Sequence, residues 1–325
     1  MNSRKIRTII KIFILTIIFS LQTSAQFLTP RVSPKAKIEH YIGISKVSVE
    51  YSRPSVNGRI IWGKLVPYGL EKQPDGTEIP WRAGANENTI VSFSDDVNVE
   101  GKPLAAGHYG LHMIPGKDEW VIIFSKNYTS WGSFTYDPAE DALRVTVKPV
   151  ETQFLERLTF DFENITSSSA VLFLRWEKLK IPIKLTFDVD HIVIQNYRNQ
   201  LRGELGYQWE TWYDAAFYCL QNNTNLDDAE DWIQKSISMN ENFKNRNLLG
   251  YILKANNKPN EAINVFKENI KRYPSDWNVY ESLAEALAEL GKNDEAIKYY
   301  EKVYEKAPES QKPRIKDILN NLKSH

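Results

Sequence analysis

The chain has 325 residues, with 41 basic and 41 acidic side chains, 42% hydrophobic and 12% aromatic residues, and a single cysteine. That length suits about two domains, and the composition excludes a disordered chain. The balanced charge gives no electrostatic reason to expect nucleic acid as a partner, and one cysteine excludes an internal disulfide.

The N-terminus reads as an export signal. Arg4, Lys5, Arg7 and Lys11 lead into an apolar run over residues 12–21, and Thr23-Ser-Ala25 closes it with small residues. This pattern predicts a secretory signal peptide, residues 1–25, cut after Ala25. The run is shorter than the ~20 residues that span a bilayer, so no membrane anchor is expected after its removal. The remaining chain has 37 basic and 41 acidic residues, about −4 net. The expected location is the periplasm or the extracellular space.

Residues 26–190 read as a strand-rich domain. Short β-branched or aromatic runs, often alternating, lie at 37–42, 46–51, 89–93, 97–99, 107–114, 120–124, 142–147, 155–162, 170–176 and 181–187. Turn residues separate them, among them Asn57-Gly58, Pro74-Asp-Gly76 and Pro115-Gly116. About ten strands without intervening helices predict an antiparallel β-sandwich or barrel. Cys219, in the helical pattern YDAAFYCL, is expected to be a small buried core residue.

Residues 191–208 read as a connector with one helix, and beyond it the pattern becomes helical and periodic. Gly250 matches Ala284, Ala262 matches Ala296, Phe266 matches Tyr300 and Pro274 matches Pro308, each at a spacing of 34. That period and residue pattern is the tetratricopeptide signature. It divides residues 209–325 into units 209–242, 243–276 and 277–310, the first looser, with a capping helix at 311–323. The predicted fold class is therefore α+β multidomain: an antiparallel sandwich or barrel followed by an all-α repeat domain.

No catalytic residue is identifiable: H-E-x-x-H, G-x-S-x-G and C-x-x-C are all absent. Asp96-Val-Asn-Val-Glu-Gly101 imitates the start of a calcium loop, but Gly107 stands where the bidentate Glu belongs, so a hairpin turn is expected. On a strand His108 and His112 would lie about 13 Å apart, too far to share a metal. No metal and no cofactor is expected. The richest constellation is Arg53, Arg59 and Trp62 with Trp81, Arg82, Asn86 and Glu87. Arginines offer forked donors for carboxylate or phosphate groups, and tryptophans flat faces for sugars, cations or peptide side chains. These seven are the candidate ligand-binding residues, with structural ion pairing as the alternative. In the repeats, Asn247, Tyr251 and Asn278 are expected to face the groove.

The phrases PRVSPKAKIE, VEYSRPSVNGRIIWGKLVPYG, WRAGANENTIVSFSDDVNVEGKPLAAGHYGLHMIP, FTYDPAEDALRV and LRWEKLKIPI resemble the domain-of-unknown-function 2911 family of Bacteroidetes exported proteins. The resemblance covers residues 30–188 and implies a fold and an exported location but no reaction. Residues 70–80, LEKQPDGTEIP, depart from it as an insertion, either a flap or a longer loop.

The reading that follows is an exported, non-enzymatic scaffold. Its β-domain would hold a small ligand or glycan, and its repeats a protein or peptide. One alternative is a periplasmic hydrolase or lyase acting on envelope sugars or peptides, with Glu87 and His108 or His112 as acid and base. Another is a purely structural envelope protein.

Overall fold

The computed structural model describes residues 29–324; the signal-peptide expectation for residues 1–25 lies outside them. Twelve strands are present among the described residues: β1 (Lys35–Ile42), β2 (Ser45–Ser52), β3 (Glu71–Lys72), β4 (Glu78–Ile79), β5 (Thr89–Phe93), β6 (Val97–Val99), β7 (Lys102–Leu104), β8 (Gly107–Ile114), β9 (Trp120–Ser125), β10 (Asp141–Val147), β11 (Val150–Glu163) and β12 (Ser169–Thr186). They form a six-stranded sheet ordered β1-β2-β5-β8-β9-β10 and a four-stranded sheet ordered β11-β12-β6-β7. Every pairing is antiparallel.

Alternation decides which side chains meet between the sheets. Val47, Val49 and Tyr51 of β2, Leu111 and Met113 of β8, and Trp120, Ile122 and Phe124 of β9 face Leu158, Phe160, Leu172, Leu174 and Ile183 of the other sheet in one core. The domain is thus a two-layer sandwich. The two strands expected over residues 170–187 are one long strand, β12, which pairs first with β11 and then with β6. Glu177 interrupts its regularity with φ 53. β6 and β7 form a tight hairpin at the calcium-like stretch. Glu100 and Gly101 both take positive φ there, as a two-residue turn between right-twisted strands requires. Residues 70–80 contain the small β3–β4 hairpin, whose turn is held by Thr77 N–H donating to Asp75 Oδ1 at 2.9 Å.

Eight α-helices follow among the described residues: α1 (Val189–Gln200), α2 (Trp209–Gln221), α3 (Leu226–Met239), α4 (Phe243–Ala255), α5 (Pro259–Arg272), α6 (Trp277–Glu289), α7 (Asn293–Lys306) and α8 (Lys312–Lys323). α1, capped by Asp188, and a 3-10 turn at Glu204–Tyr207 occupy the connector. The pairs α2–α3, α4–α5 and α6–α7 pack as hairpins that share one core, where Ala216, Gly250 and Ala284 take equivalent places 34 residues apart. The side chains that lock the hairpins are equivalent too. Ser236 Oγ donates to Trp209 O at 3.0 Å, and Asn269 Nδ2 donates to Phe243 O at 3.1 Å. Cys219 is fully buried, and burial pushes its thiol up to about 12.

Candidate functional site

The seven β-domain candidates do not converge on one pocket. Arg53 and Arg59 sit in the loop that leaves β2 and crosses to β11. Arg53 Nε donates to Leu158 O at 2.9 Å, and its Nη2 donates to Thr159 Oγ1 at 2.6 Å. Arg59 Nε donates to Val56 O at 3.1 Å within the same loop. The loop is further tied down by Val56 N–H to Glu156 O and Leu158 N–H to Pro54 O, both backbone bonds. Arg53 fastens the loop to the second sheet, and Arg59 braces the loop from within.

Trp62 and Trp81 also turn inward. With Trp120 and Trp176 they form a four-indole cluster at one end of the core, with ring centroids 5.1–6.2 Å apart. Trp81 and Trp176 stack, and the other pairs meet edge to face, the arrangements that aromatic quadrupoles favour.

Arg82 lies on the opposite face of the six-stranded sheet. There the segment 126–137 crosses over the strands and buries a polar layer. His112 Nδ1 is 2.7 Å from Ser133 Oγ. Asn88 Nδ2 donates to Asn127 O at 3.2 Å, and its backbone N–H donates to Ser130 O at 3.1 Å. Gly110 makes the crossing possible: a Cβ there would stand 2.4 Å from Asn127 O. Ile123, on the outward face of β9, is fully buried under this cover. The Arg82 guanidinium lies against Gly132 and over the Phe134 ring, 4.8 Å from its centroid, and donates to Asn86 O at 2.9 Å. Among the described residues it has no carboxylate partner. Burial, and then the nearby Arg82 charge, lowers the His112 imidazole to about 4. His112 is therefore neutral at physiological pH. His108, on the same face, is exposed and pairs with Ser92 Oγ at 2.7 Å.

Asn86 and Glu87 close the turn before β5. Asn86 takes φ 63 and donates to Ser33 O at 3.4 Å. Glu87 accepts from Arg31 Nη1 at 2.6 and 2.9 Å, and Lys35 Nζ is 3.3 Å away. Burial pushes its carboxyl up, but the Arg31 and Lys35 contacts prevail and hold it below the ordinary carboxylate range. Glu87 lines a cleft of about 250 Å³ on the outer face of β1 and β2. Its other polar walls, Lys35, Lys37, Glu50, Ser52 and Asn88, come from residues with no distinguishing motif in the sequence. Only their cross-strand pairing, Lys35 with Ser52 and Lys37 with Glu50, brings them together. Among the described residues no group of three or more His, Cys, Asp or Glu side chains is placed to hold a metal ion.

In the repeats, Asn247, Tyr251 and Asn278 lie between neighbouring first helices. Asn247 Nδ2 donates to Asn278 Oδ1 at 3.2 Å. Tyr251 Oη is 3.1 Å from Ser282 Oγ and 2.9 Å from Glu285 Oε2. The three residues tie α4 to α6. Applying the 34-residue period to Asn247 and Tyr251 defines a continuous stripe along the first helices: Tyr213, Asn247, Glu281 in one row and Phe217, Tyr251, Glu285 in the next. Its α2 end is aromatic, with the Tyr213 and Phe217 rings stacked at 6.0 Å and Phe217 exposed. Its α6 end is acidic, where Lys254 Nζ contacts Glu289 at 2.7 Å and Glu285 at 3.6 Å.

An antiparallel sandwich joined to a helical-hairpin stack defines the class of protein. A family model described as Protein of unknown function (DUF2911) matches the strand-rich region over residues 33–185, and a Tetratricopeptide repeat model matches residues 247–310. No curated protein matches this sequence. Among solved structures, a crystal structure of MamA protein is 22% identical, covering 39% of this chain and 68% of its own at a TM-score of 0.33. The Yersinia enterocolitica type III secretion chaperone SycD, in complex with a peptide of the translocator YopD, is 19% identical (35% and 91% covered, TM-score 0.32). PcrH from Pseudomonas aeruginosa is 17% identical (35% and 91% covered, TM-score 0.33).

Proposed function

We propose that this protein is an exported, non-enzymatic scaffold whose helical repeats bind an extended peptide segment of a partner along the first-helix stripe. The observation that carries this is the graded stripe itself. Stacked helical repeats expose a continuous surface suited to extended peptides. Here one end offers the exposed Phe217 beside Tyr213, and the other the carboxylates of Glu285 and Glu289. A segment carrying an aromatic or large aliphatic anchor followed by basic residues matches that order. The carboxylates of Glu285 and Glu289 are about half exposed, so their pairs with Lys254 are weak and exchangeable. The β-domain would hold a separate small ligand. Export to the periplasm or beyond is part of the proposal and rests on the leader pattern of residues 1–25.

The test is fluorescence anisotropy of the full-length protein against labelled peptides in which a Trp or Leu anchor is followed by Lys-Arg pairs, with anchor-free and acidic peptides as controls. The anchored basic peptides should bind, and both Phe217→Ala and Glu285→Lys should weaken them by about tenfold or more, roughly 1.4 kcal/mol. Equal binding of basic and acidic peptides, or indifference to both substitutions, would reject the stripe as the site.

A further inference from the structure

The cleft beside Glu87 lies on the β-domain, and its chemistry differs from that of the repeat stripe. We infer that this pocket binds a small zwitterion, a free amino acid or dipeptide, whose carboxylate meets Lys35 and Lys37 and whose ammonium meets Glu50, Glu87 and the amide oxygen of Asn88.

Three observations point there. The first is size. About 250 Å³ lies below the roughly 300–1,000 Å³ of pockets that hold drug-sized ligands. The occupant is therefore a compact molecule of amino-acid or dipeptide size.

The second is the distribution of charge. Lysines and carboxylates alternate around one small opening: Lys35 and Lys37 come from β1, Glu50 from β2 and Glu87 from the turn before β5. Glu87 is held by Arg31 at 2.6 Å, while the two lysines of the cleft make looser, exchangeable pairs. Lys37 lies 3.0 Å from Glu50 and Lys35 lies 3.3 Å from Glu87, and both lysines are half exposed or more. Exposed pairs of this kind are weak, so a ligand that carries both charges can replace them. A ligand of one sign would leave the opposite set facing it.

The third is an orphan acceptor. Asn88 is 4% exposed and lines the pocket. Its backbone N–H and its Nδ2 are committed to Ser130 O and Asn127 O. Its Oδ1 is buried and has no hydrogen-bond donor among the described residues. It is one of eight such side-chain atoms among the described residues, and of those eight residues Asn88 is the one that lines this cleft. The partner required here is a donor, which the ammonium or amide N–H of a small zwitterion supplies. Ser52 and Ile90 complete the floor with a hydroxyl and an aliphatic surface.

The experiment is isothermal titration of the full-length protein with glycylglycine at millimolar concentration. Its two end-blocked forms, N-acetylglycylglycine and glycylglycine amide, and the hydroxylated carboxylate glucuronate are titrated in parallel. Glycylglycine should bind, and each blocked form and glucuronate should bind at least about tenfold more weakly. Lys35→Gln and Glu50→Gln, which change exposed side chains only, should each weaken glycylglycine several-fold, and Asn88→Leu should abolish it. Phe217→Ala in the repeats should leave it unchanged, which separates this site from the peptide stripe. Absence of binding by glycylglycine would overturn the inference. So would retention by the N-acetylated form, which would make the pocket a reader of terminal carboxylates alone, or preference for glucuronate. Unchanged affinity in Lys35→Gln and Glu50→Gln would place the ligand elsewhere.

Discussion

Gly250 of α4 sits directly against the ring of Phe266 on α5: a Cβ at Gly250 would stand 2.2 Å from Phe266 Cε1 and 2.4 Å from its Cζ. Alanine occupies the matching places in the flanking repeats, at 216 and 284. In the middle hairpin the fully buried Phe266 ring fills the space that a methyl group at position 250 would need. In a helix, Gly→Ala ordinarily stabilises by up to about 1 kcal/mol. Here the sign should reverse, because overpacking a filled core costs about 1–3 kcal/mol. Gly250→Ala should lower the urea midpoint, and adding Phe266→Leu should recover part of the loss. A Gly250→Ala protein as stable as wild type would contradict this packing.

Arg53 should behave as a fastener. Its guanidinium serves Leu158 O and Thr159 Oγ1, more than a hundred residues away in sequence. Arg53→Ala leaves a part-buried carbonyl unpaired and should cost about 1–3 kcal/mol. Arg59, bonded only within its own loop, should cost less, and Arg82, with one hydrogen bond to Asn86 O, should also cost less. Thermal denaturation of the three alanine variants gives the ranking. An Arg53→Ala midpoint equal to that of Arg82→Ala would refute it.

The pattern of legibility follows from the range of the interactions. Period-two alternation and the 34-residue repeat are local signals, so most strands and every repeat hairpin are readable from the sequence. The β3–β4 pair and β7 escape such a reading because two or three residues carry too little alternation to register. Residue 177, between two expected strands, is instead a kink within β12. The role of the tryptophans is not legible, because an indole face suits a sugar and a core equally well. Only the meeting of residues 62, 81, 120 and 176 decides for the core. The pocket is illegible for the same reason. Lys35, Glu50 and Asn88 are unremarkable singly, and only strand pairing gathers them.

His112 predicts an acid-limb dependence of stability. Unfolded, its imidazole takes a proton near 6.5; folded, burial delays protonation to about 4. Between those values the unfolded state binds the proton and the folded state does not. The contribution is therefore complete above pH 6.5 and is lost as pH falls towards 4, amounting to up to about 3 kcal/mol. His112→Gln keeps a hydrogen-bonding group for Ser133 but cannot titrate. Urea unfolding across this range should show a steeper loss for wild type than for the variant. Parallel curves would mean that His112 is protonated in the native state.

Tyr251 distinguishes a tie between repeats from a contact reserved for the partner. Its ring packs edge-on to Phe266 at 5.4 Å, and its hydroxyl bridges to Ser282 and Glu285 on the next first helix. Burial, joined by the Glu285 and Glu281 carboxylates and only partly opposed by the Ser282 hydrogen bond, raises its phenol well above the ordinary value, so it remains a neutral donor. Tyr251→Phe keeps the ring and removes only the tie. It should cost about 0.5–1.5 kcal/mol, and a double-mutant cycle with Glu285→Gln should give a coupling energy within the roughly 0.5–3 kcal/mol found for residues in contact. Glu285 has a second role under the proposed function, facing basic residues of the peptide. The same cycle read by anisotropy should therefore show a larger loss for Glu285→Gln than for Tyr251→Phe. If Tyr251→Phe left stability unchanged but abolished binding, the hydroxyl would belong to the ligand, and the repeats would be held together by their apolar core alone.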